Sequence, residues 1–186
     1  MEKKRLLLHT CCAPCVAYTA VLLTKDFNVT AYFFNPNIHP DKEYRLRRDE
    51  LIDFSKNTSL NLIVQETDSS SWHEYIRGFE NEPEKGKRCY KCFEMRLENT
   101  AKFAKENNFD IFTTSLSISP HKNAAKINEI GNQLSAKYEI KFFEANFKKN
   151  DGFKKSCEIA SQYNLYRQTY CGCIYSIRKQ FYCNSS

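Results

Sequence analysis

Short apolar runs alternate along this chain with longer stretches in which apolar side chains recur at helical spacing. Lys4 to His9 carries Leu6-Leu7-Leu8 without polar alternation, the pattern of a strand covered on both faces. Pro14, whose φ suits a first helical turn, predicts a helix from Pro14 to Thr24. Asn28 to Phe34 reads as a second strand, closed by Asn35-Pro36-Asn37 and His39-Pro40. Asp41 is expected to cap a helix over Lys42 to Ser55, with Tyr44, Leu51 and Phe54 inward and Arg45, Arg47 and Arg48 on its wetter side. Leu60 to Glu66 reads as a third strand, followed by a serine loop, a short helix from Trp72 to Phe79 and a polar surface loop over Glu80 to Lys87.

A long helix is expected from Arg88 to Asn107, with Cys89 and Cys92 in its first turn and Phe93, Leu97, Ala101 and Ala104 behind them. Asp110 to Ser115 is a fourth strand, and Ser119-Pro120 is expected to open a helix reaching Tyr138. Ile140 to Phe143 is a fifth strand and Gly152 to Tyr163 a further helix, before a C-terminal part with a basic helical end. Such alternation implies a three-layer α/β fold with a mostly parallel sheet of about five strands. The whole chain, residues 1–186, reads as a single domain, with residues 164–186 as a small helical extension.

Charge and composition narrow the picture only slightly. Lys and Arg number 28 against 22 Asp and Glu, and the resulting +6 suits a polyanionic partner without demanding one. The nine cysteines fall mostly in close groups (11/12/15, 89/92, 171/173), which points to metal or redox work in a reducing compartment rather than to a disulfide framework. No signal-peptide core or membrane-spanning run is visible, so a cytoplasmic protein is expected. No glycine-rich loop follows the first strand, so no nucleotide cofactor is indicated, and no Cys-x-x-x-Cys-x-x-Cys triplet occurs.

The thiols at the end of the first strand adjoin a helix N-terminus, whose dipole favours thiolates, at the sheet edge where α/β folds bind ligands. Three chemistries compete for them. Cys12-Ala13-Pro14-Cys15 alone has the look of a thiol-disulfide oxidoreductase pair, but leaves Cys11 and the dithiol Cys89/Cys92 unused. Cys12, Cys15, Cys89 and Cys92 make a tetrahedral zinc set, and Cys11, Cys12, Cys89 and Cys92 an iron-sulfur set. Spacing leaves zinc and iron-sulfur open. Cys171-Gly172-Cys173 suits either an easily reduced disulfide relay or two thiols flanking a turn glycine. Cys157 and Cys183 read as structural or incidental, and His9 as a satisfied core histidine. Tyr163, Tyr166, Tyr170 and Tyr175 interleave with Arg167 and Arg178 in a way that suits stacking on an unpaired base.

The run Cys11-Cys12-Ala13-Pro14-Cys15, with the segments 33–50 (FFNPNIHPDKEYRLRRDE), 88–123 (RCYKCFEMRLENTAKFAKENNFDIFTTSLSISPHKN) and 152–176 (GFKKSCEIASQYNLYRQTYCGCIYS), resembles the QueH-type epoxyqueuosine reductases over nearly the whole chain. The resemblance implies a nucleotide alpha hydrolase (HUP, PP-loop-like) domain in which the cysteine loop replaces the phosphate loop. It implies reductive removal of the epoxide oxygen of epoxyqueuosine at the tRNA wobble position, without cobalamin. It further implies a [4Fe-4S] cluster on Cys11, Cys12, Cys89 and Cys92, a redox-active pair at Cys171 and Cys173, and an additional iron for which Cys15 is the expected ligand. On this reading the 164–186 extension completes the active site, and an unidentified electron donor supplies reducing equivalents. His39, Arg45, Arg48, His121, Lys122, Tyr166 and Arg167 are the expected tRNA contacts.

Overall fold

The computed structural model describes residues 2–177. Strands β1 (Arg5–His9), β2 (Asn28–Phe33), β3 (Asn61–Val64), β4 (Ile111–Thr114) and β5 (Lys141–Phe142) form one sheet in the order β3-β2-β1-β4-β5. Every pairing is parallel. The central position of β1 follows from its three leucines, all fully buried. Leu6 and Leu8 enter the core shared with helices α1 (Ala13–Leu23), α2 (Asp41–Thr58) and α6 (Gly152–Gln162). Leu7 points the other way, into the core built with α4 (Lys87–Glu106) and α5 (Ala124–Tyr138). Each such side chain contributes about 1.5–3 kcal/mol on burial. A short helix, α3 (Ser70–Tyr75), seats Trp72 against the first turns of α4.

From β1 the chain adds strands outward on one side through β2 and β3, then crosses back to place β4 on the other side of β1. The reversal opens a crevice beyond the C-terminal ends of β1 and β4, where open α/β sheets bind ligands. The cysteine loop leaves β1 at that place.

Four expectations change. Asp41 does not cap α2 but is its first residue, following Pro40, and no side chain caps that end. Ser119-Pro120 does not open α5: residues Ser115–Ile118 wind as a 3-10 turn in which the Leu116 N–H donates to the Thr114 hydroxyl at 3.1 Å. The helix starts only at Ala124, where the Asn123 side-chain oxygen accepts the Lys126 N–H at 3.2 Å. Arg47 is not on a wet face but fully buried, because residues 164–177 lie across that side of α2, which periodicity within the helix cannot reveal. The extension is irregular over 164–177 apart from a 3-10 turn at Ile174–Ser176. Its expected basic helical end, with Arg178 and Cys183, lies outside the described residues. Among the described residues no helix is long and apolar enough to cross a membrane.

Helix α6 is held close to the cysteine loop. Ser156 Oγ donates to the Pro14 carbonyl at 2.7 Å, and a Cβ added at Gly152 would sit 1.7 Å from the Phe147 carbonyl oxygen. A backbone atom cannot yield as a flexible side chain can. Gly152→Ala is therefore expected to destabilise the fold by about 1–3 kcal/mol, read as a lower urea midpoint at unchanged slope.

Candidate metal centre

The loop after β1 is fixed before any thiol chemistry begins. His9 is fully buried, with Nδ1 2.9 Å from Thr114 Oγ1 and Nε2 3.2 Å from the Phe34 carbonyl oxygen. Burial first, and the Arg96 charge second, lower its pKa to about 3, so it stays a neutral core histidine. Asn35 Nδ2 donates to the Thr10 carbonyl at 2.9 Å, and Thr10 Oγ1 to the Cys12 carbonyl at 3.3 Å. Cys12 is then the extended residue preceding α1, with Pro14 in the helix's first turn.

These constraints turn three sulfurs toward one another. Cys11 Sγ lies 3.8 Å from the sulfurs of both Cys12 and Cys15, and all three are within 4.8 Å of each other. The first two turns of α4 bring Cys89 and Cys92 to the same crevice, where Cys92 packs with Trp72, Ile76 and Cys173. A cavity of about 440 Å³ is lined by Cys11, Cys15, Cys89, Cys92, Cys171 and Cys173; Cys12 is fully buried and does not line it, its sulfur lying 3.8 Å from that of Cys11. Three distant stretches of chain thus deliver sulfur to one space.

The cations around the cavity act on thiols from more than one of these stretches. Arg96, nearly fully buried one turn after Cys92, donates from Nε to the Cys92 carbonyl at 3.2 Å and from Nη1 to Asn35 Oδ1 at 3.4 Å. Its guanidinium favours the thiolate forms of both Cys11 and Cys92, and the Lys122 ammonium does so for Cys11, Cys15, Cys92 and Cys171. N–H donors reach the sulfurs as well: the Lys85 amide to Cys89 at 3.2 Å, and Gln168 Nε2 to Cys12 at 3.0 Å. The buried Trp72 indole N–H has no nitrogen or oxygen partner and lies beside Cys92.

The thiols titrate unequally. Hydrogen bonds from Cys12 and then Cys15 hold Cys11 well below the usual thiol range, while burial pushes Cys12 up and the hydrogen bond with Cys11 pushes Cys15 to about 12. Burial raises Cys89 and Cys92. Cys171 is lowered by the hydrogen bond from Cys173, which is raised in turn. The expected activation of Cys12 by the helix dipole is therefore outweighed by desolvation. A thiol-disulfide exchange pair needs an exposed, acidic N-terminal thiol, and Cys12 is neither. Sulfurs surrounded by cations and N–H donors fit a soft metal centre instead, since metal coordination needs the anionic form.

Of the other expected site residues, His121, Lys122 and Arg167 line the cavity. His39 does not: it is buried against Trp72 and His73, with Nδ1 2.8 Å from the Asn37 carbonyl oxygen. Arg45 pairs with Asp41 at 2.7 Å, and Arg48 with Asp49 at 2.8 Å and Glu66 at 3.1 Å, away from the cavity. Tyr166 donates its hydroxyl to Glu43 Oε2 at 3.1 Å. Cys157, expected to be structural, lines the cavity from α6. Arg96, Gln168 and Trp72 escaped the reading of the sequence. Arg96 had a usable signal in its four-residue spacing from Cys92; Gln168 and Trp72 had none.

The family model described as epoxyqueuosine reductase QueH matches residues 6–179. Curated proteins named epoxyqueuosine reductase QueH align over most of both chains. That of Acinetobacter baylyi is 43% identical over 94% of this chain and 81% of its own, and that of Staphylococcus epidermidis 40% over 96% and 79%. The Thermotoga maritima protein is 35% identical over 92% and 89%. Among solved structures, the U34-tRNA thiolase NcsA from Methanococcus maripaludis, with its [4Fe-4S] cluster, superposes with a TM-score of 0.60 at 14% identity, over 96% of this chain and 63% of its own. A predicted tRNA methyltransferase subunit from Methanocaldococcus jannaschii gives 0.57 at 15% identity, over 85% and 74%. These two likenesses concern the fold alone, which is of the nucleotide alpha hydrolase, PP-loop-like type.

Arg96→Gln removes the cation shared by Cys11 and Cys92 and keeps a hydrogen-bonding side chain of similar reach. We expect soft-metal affinity to fall about 10- to 100-fold, read by competition with a chromophoric chelator, with the circular dichroism spectrum unchanged.

Proposed function

The chain belongs to the epoxyqueuosine reductase QueH family, and from that premise we infer that it reduces epoxyqueuosine at the wobble position of a tRNA to queuosine, the last step of queuosine biosynthesis. The observation that carries the reading beyond family membership is the meeting of the 11/12/15, 89/92 and 171/173 thiols around one cavity at the switch point of the sheet.

In this proposal Cys11, Cys12, Cys89 and Cys92 hold a [4Fe-4S] cluster, Cys15 is the ligand offered to an adjacent iron, and Cys171 with Cys173 forms a redox-active pair. When bound, such a centre supplies single electrons and Lewis acidity for opening a C–O bond. The protein's own groups do the remainder. Arg96 and Lys122 offset the negative charge of the thiolates, while the N–H donors from Lys85 and Gln168 orient Cys89 and Cys12. The hydrogen bond between Cys173 and Cys171 lowers Cys171 and raises Cys173, so Cys171 is the first of the two to ionise. The balance closes: loss of the epoxide oxygen as water consumes two electrons and two protons, which are what a dithiol releases on forming a disulfide. A separate electron donor must then reduce that disulfide again.

A wobble nucleotide lies in a single-stranded loop and can be turned out into a cavity of this size, while Lys122, His121 and Arg167 at its lining meet the loop backbone. In this proposal the chain is one domain whose active site the C-terminal extension completes; within the described part of that extension, Gln168, Cys171 and Cys173 line one side of the cavity. We place the reaction in the reducing cytoplasm, where free thiols persist.

Anaerobic purification is expected to yield a coloured protein with iron and sulfide. Cys89→Ser and Cys92→Ser should lose both the metal and all epoxide reduction. A zinc protein without turnover would mark a zinc-stabilised tRNA-binding module and overturn the assignment, as would a colourless, metal-free protein acting on disulfides. In steady-state assays with a chemical reductant, Cys171→Ser and Cys173→Ser should lose turnover while keeping iron; full activity would remove the relay role. Affinity for the tRNA should decline linearly on a log-log plot against salt, with a slope of about −0.7 to −0.9 for each phosphate contacted.

A further inference from the structure

Residues 164–177 contain no strand and only one 3-10 turn, so the two thiols they carry must be positioned by contacts from elsewhere. Cys173 packs on Trp72, Ile76 and Cys92, and the backbone of the turn is held from α2 and the loop before it. Arg47 Nη2 donates to the Tyr170 carbonyl at 3.1 Å and Nη1 to the Cys171 carbonyl at 3.3 Å, and the His39 amide donates to the Gly172 carbonyl at 2.8 Å. Three consecutive carbonyls are thereby held. On its other side the guanidinium is bound by Glu43, whose Oε1 accepts from Nε at 2.7 Å while Oε2 accepts the Tyr166 hydroxyl at 3.1 Å. The Tyr170 ring lies 5.4 Å from the guanidinium carbon, and the Tyr170 hydroxyl donates to the His39 carbonyl.

The turn is pressed against this arginine. Gly172 has φ +105°, and a Cβ there would lie 3.0 Å from Ile38 Cγ1 and 3.2 Å from Arg47 Nη1. A fully buried arginine is costly to desolvate, and a helix packed only for stability is served as well by an apolar residue at that position. What an apolar residue, or a lysine, cannot do is fork across two carbonyls and a carboxylate at once. Both thiols are free in this arrangement, with Cys171 Sγ 2.9 Å from Ser176 Oγ.

We propose that Arg47 is a positioning residue for the Cys171/Cys173 pair: its fork across the Tyr170 and Cys171 carbonyls, with Gly172 pressed beneath, holds the turn in the open dithiol geometry and so sets the pair's thiol-disulfide poise. The proposal rests on the reading of these cysteines as redox-active. Closing the bond between sulfurs two residues apart requires the backbone to twist, which the anchored carbonyls oppose. Arg47 therefore favours the dithiol, and loosening its grip favours the disulfide.

The test is an anaerobic titration of the iron-loaded protein against mixtures of reduced and oxidised glutathione, with acid quenching, alkylation and mass spectrometry of the 171–173 peptide. In the oxidation, two S–H bonds break, one S–S bond forms, and the two electrons and two protons pass to glutathione disulfide, giving two glutathione thiols. Arg47→Lys keeps the charge beside Glu43 but loses the fork. It should raise the disulfide-to-dithiol ratio at a fixed glutathione ratio about tenfold, equivalent to about 30 mV for this two-electron couple, at unchanged iron content. Gly172→Ala attacks the same turn from its other side and should shift the ratio in the same direction, which keeps the proposal testable if Arg47→Lys does not fold. A lowered melting midpoint with a wild-type titration in either variant would make the contact merely structural and overturn the proposal. A wild-type protein that never forms the 171–173 bond at any ratio would overturn the redox-pair reading itself, a distinct result.

Discussion

Gathering thiols around one partly dry cavity sets up a repulsion that the rest of the molecule has to offset. Each sulfur that ionises makes the next harder to ionise, and burial adds to the difficulty. The spread of the thiol pKa values, with Cys11 and Cys171 lowered and Cys12, Cys15 and Cys173 raised, is how the protein alone divides too few charges among too many donors. The buried Arg96, the Lys122 ammonium and the N–H donors at Lys85 and Gln168 all act in the direction of more negative charge on sulfur. A guanidinium as buried as that of Arg96 is expensive without an anion to face. Here it and the thiols explain one another.

The sheet supplies the rigidity this arrangement needs. Because β1 is central and paired on both sides from Leu6 to His9, the loop carrying Cys11 starts from a strand anchored along both edges. The adjoining β4 sends its 3-10 turn along the same crevice, so Ile118 and the Ser119-Pro120-His121 stretch form the facing wall. A glycine-rich loop at this place would leave backbone amides open to phosphate. Cys11-Cys12-Ala13-Pro14-Cys15 offers sulfur there instead, so the loop presents a soft donor surface rather than a hard one.

Much of this was legible in the sequence because it depends on local pattern. The uninterrupted Leu6-Leu7-Leu8 run announced a strand buried on both faces, and the clustered cysteines announced a centre built from separate segments. The alternation of strands and helices gave the layered architecture and the strand count. What stayed hidden depends on packing between parts far apart in the chain. Arg47 has the spacing of an exposed partner for Glu43 and turns out to be buried only because residues 164–177 cross it. Gln168 has no periodicity to mark it, and its nearness to Cys12 arises solely from the path of that irregular segment. The start of α5 was misplaced because Ser119-Pro120 and Asn123 both carry capping chemistry, and only tertiary structure selects Asn123.

One consequence concerns the order in which the molecule comes into being. A ribosome delivers the first cysteine loop early, the Cys89/Cys92 turn near mid-chain, and the stretch from Gln168 to Cys173 late. The sheet can pair and its two cores can form around β1 while one wall of the sulfur cavity is still unmade. Until residues 164–177 have been made, the cavity lacks that wall and Arg47 lacks the Tyr170 and Cys171 carbonyls it holds. The centre is thus finished by chain that is synthesised after the sheet supporting it.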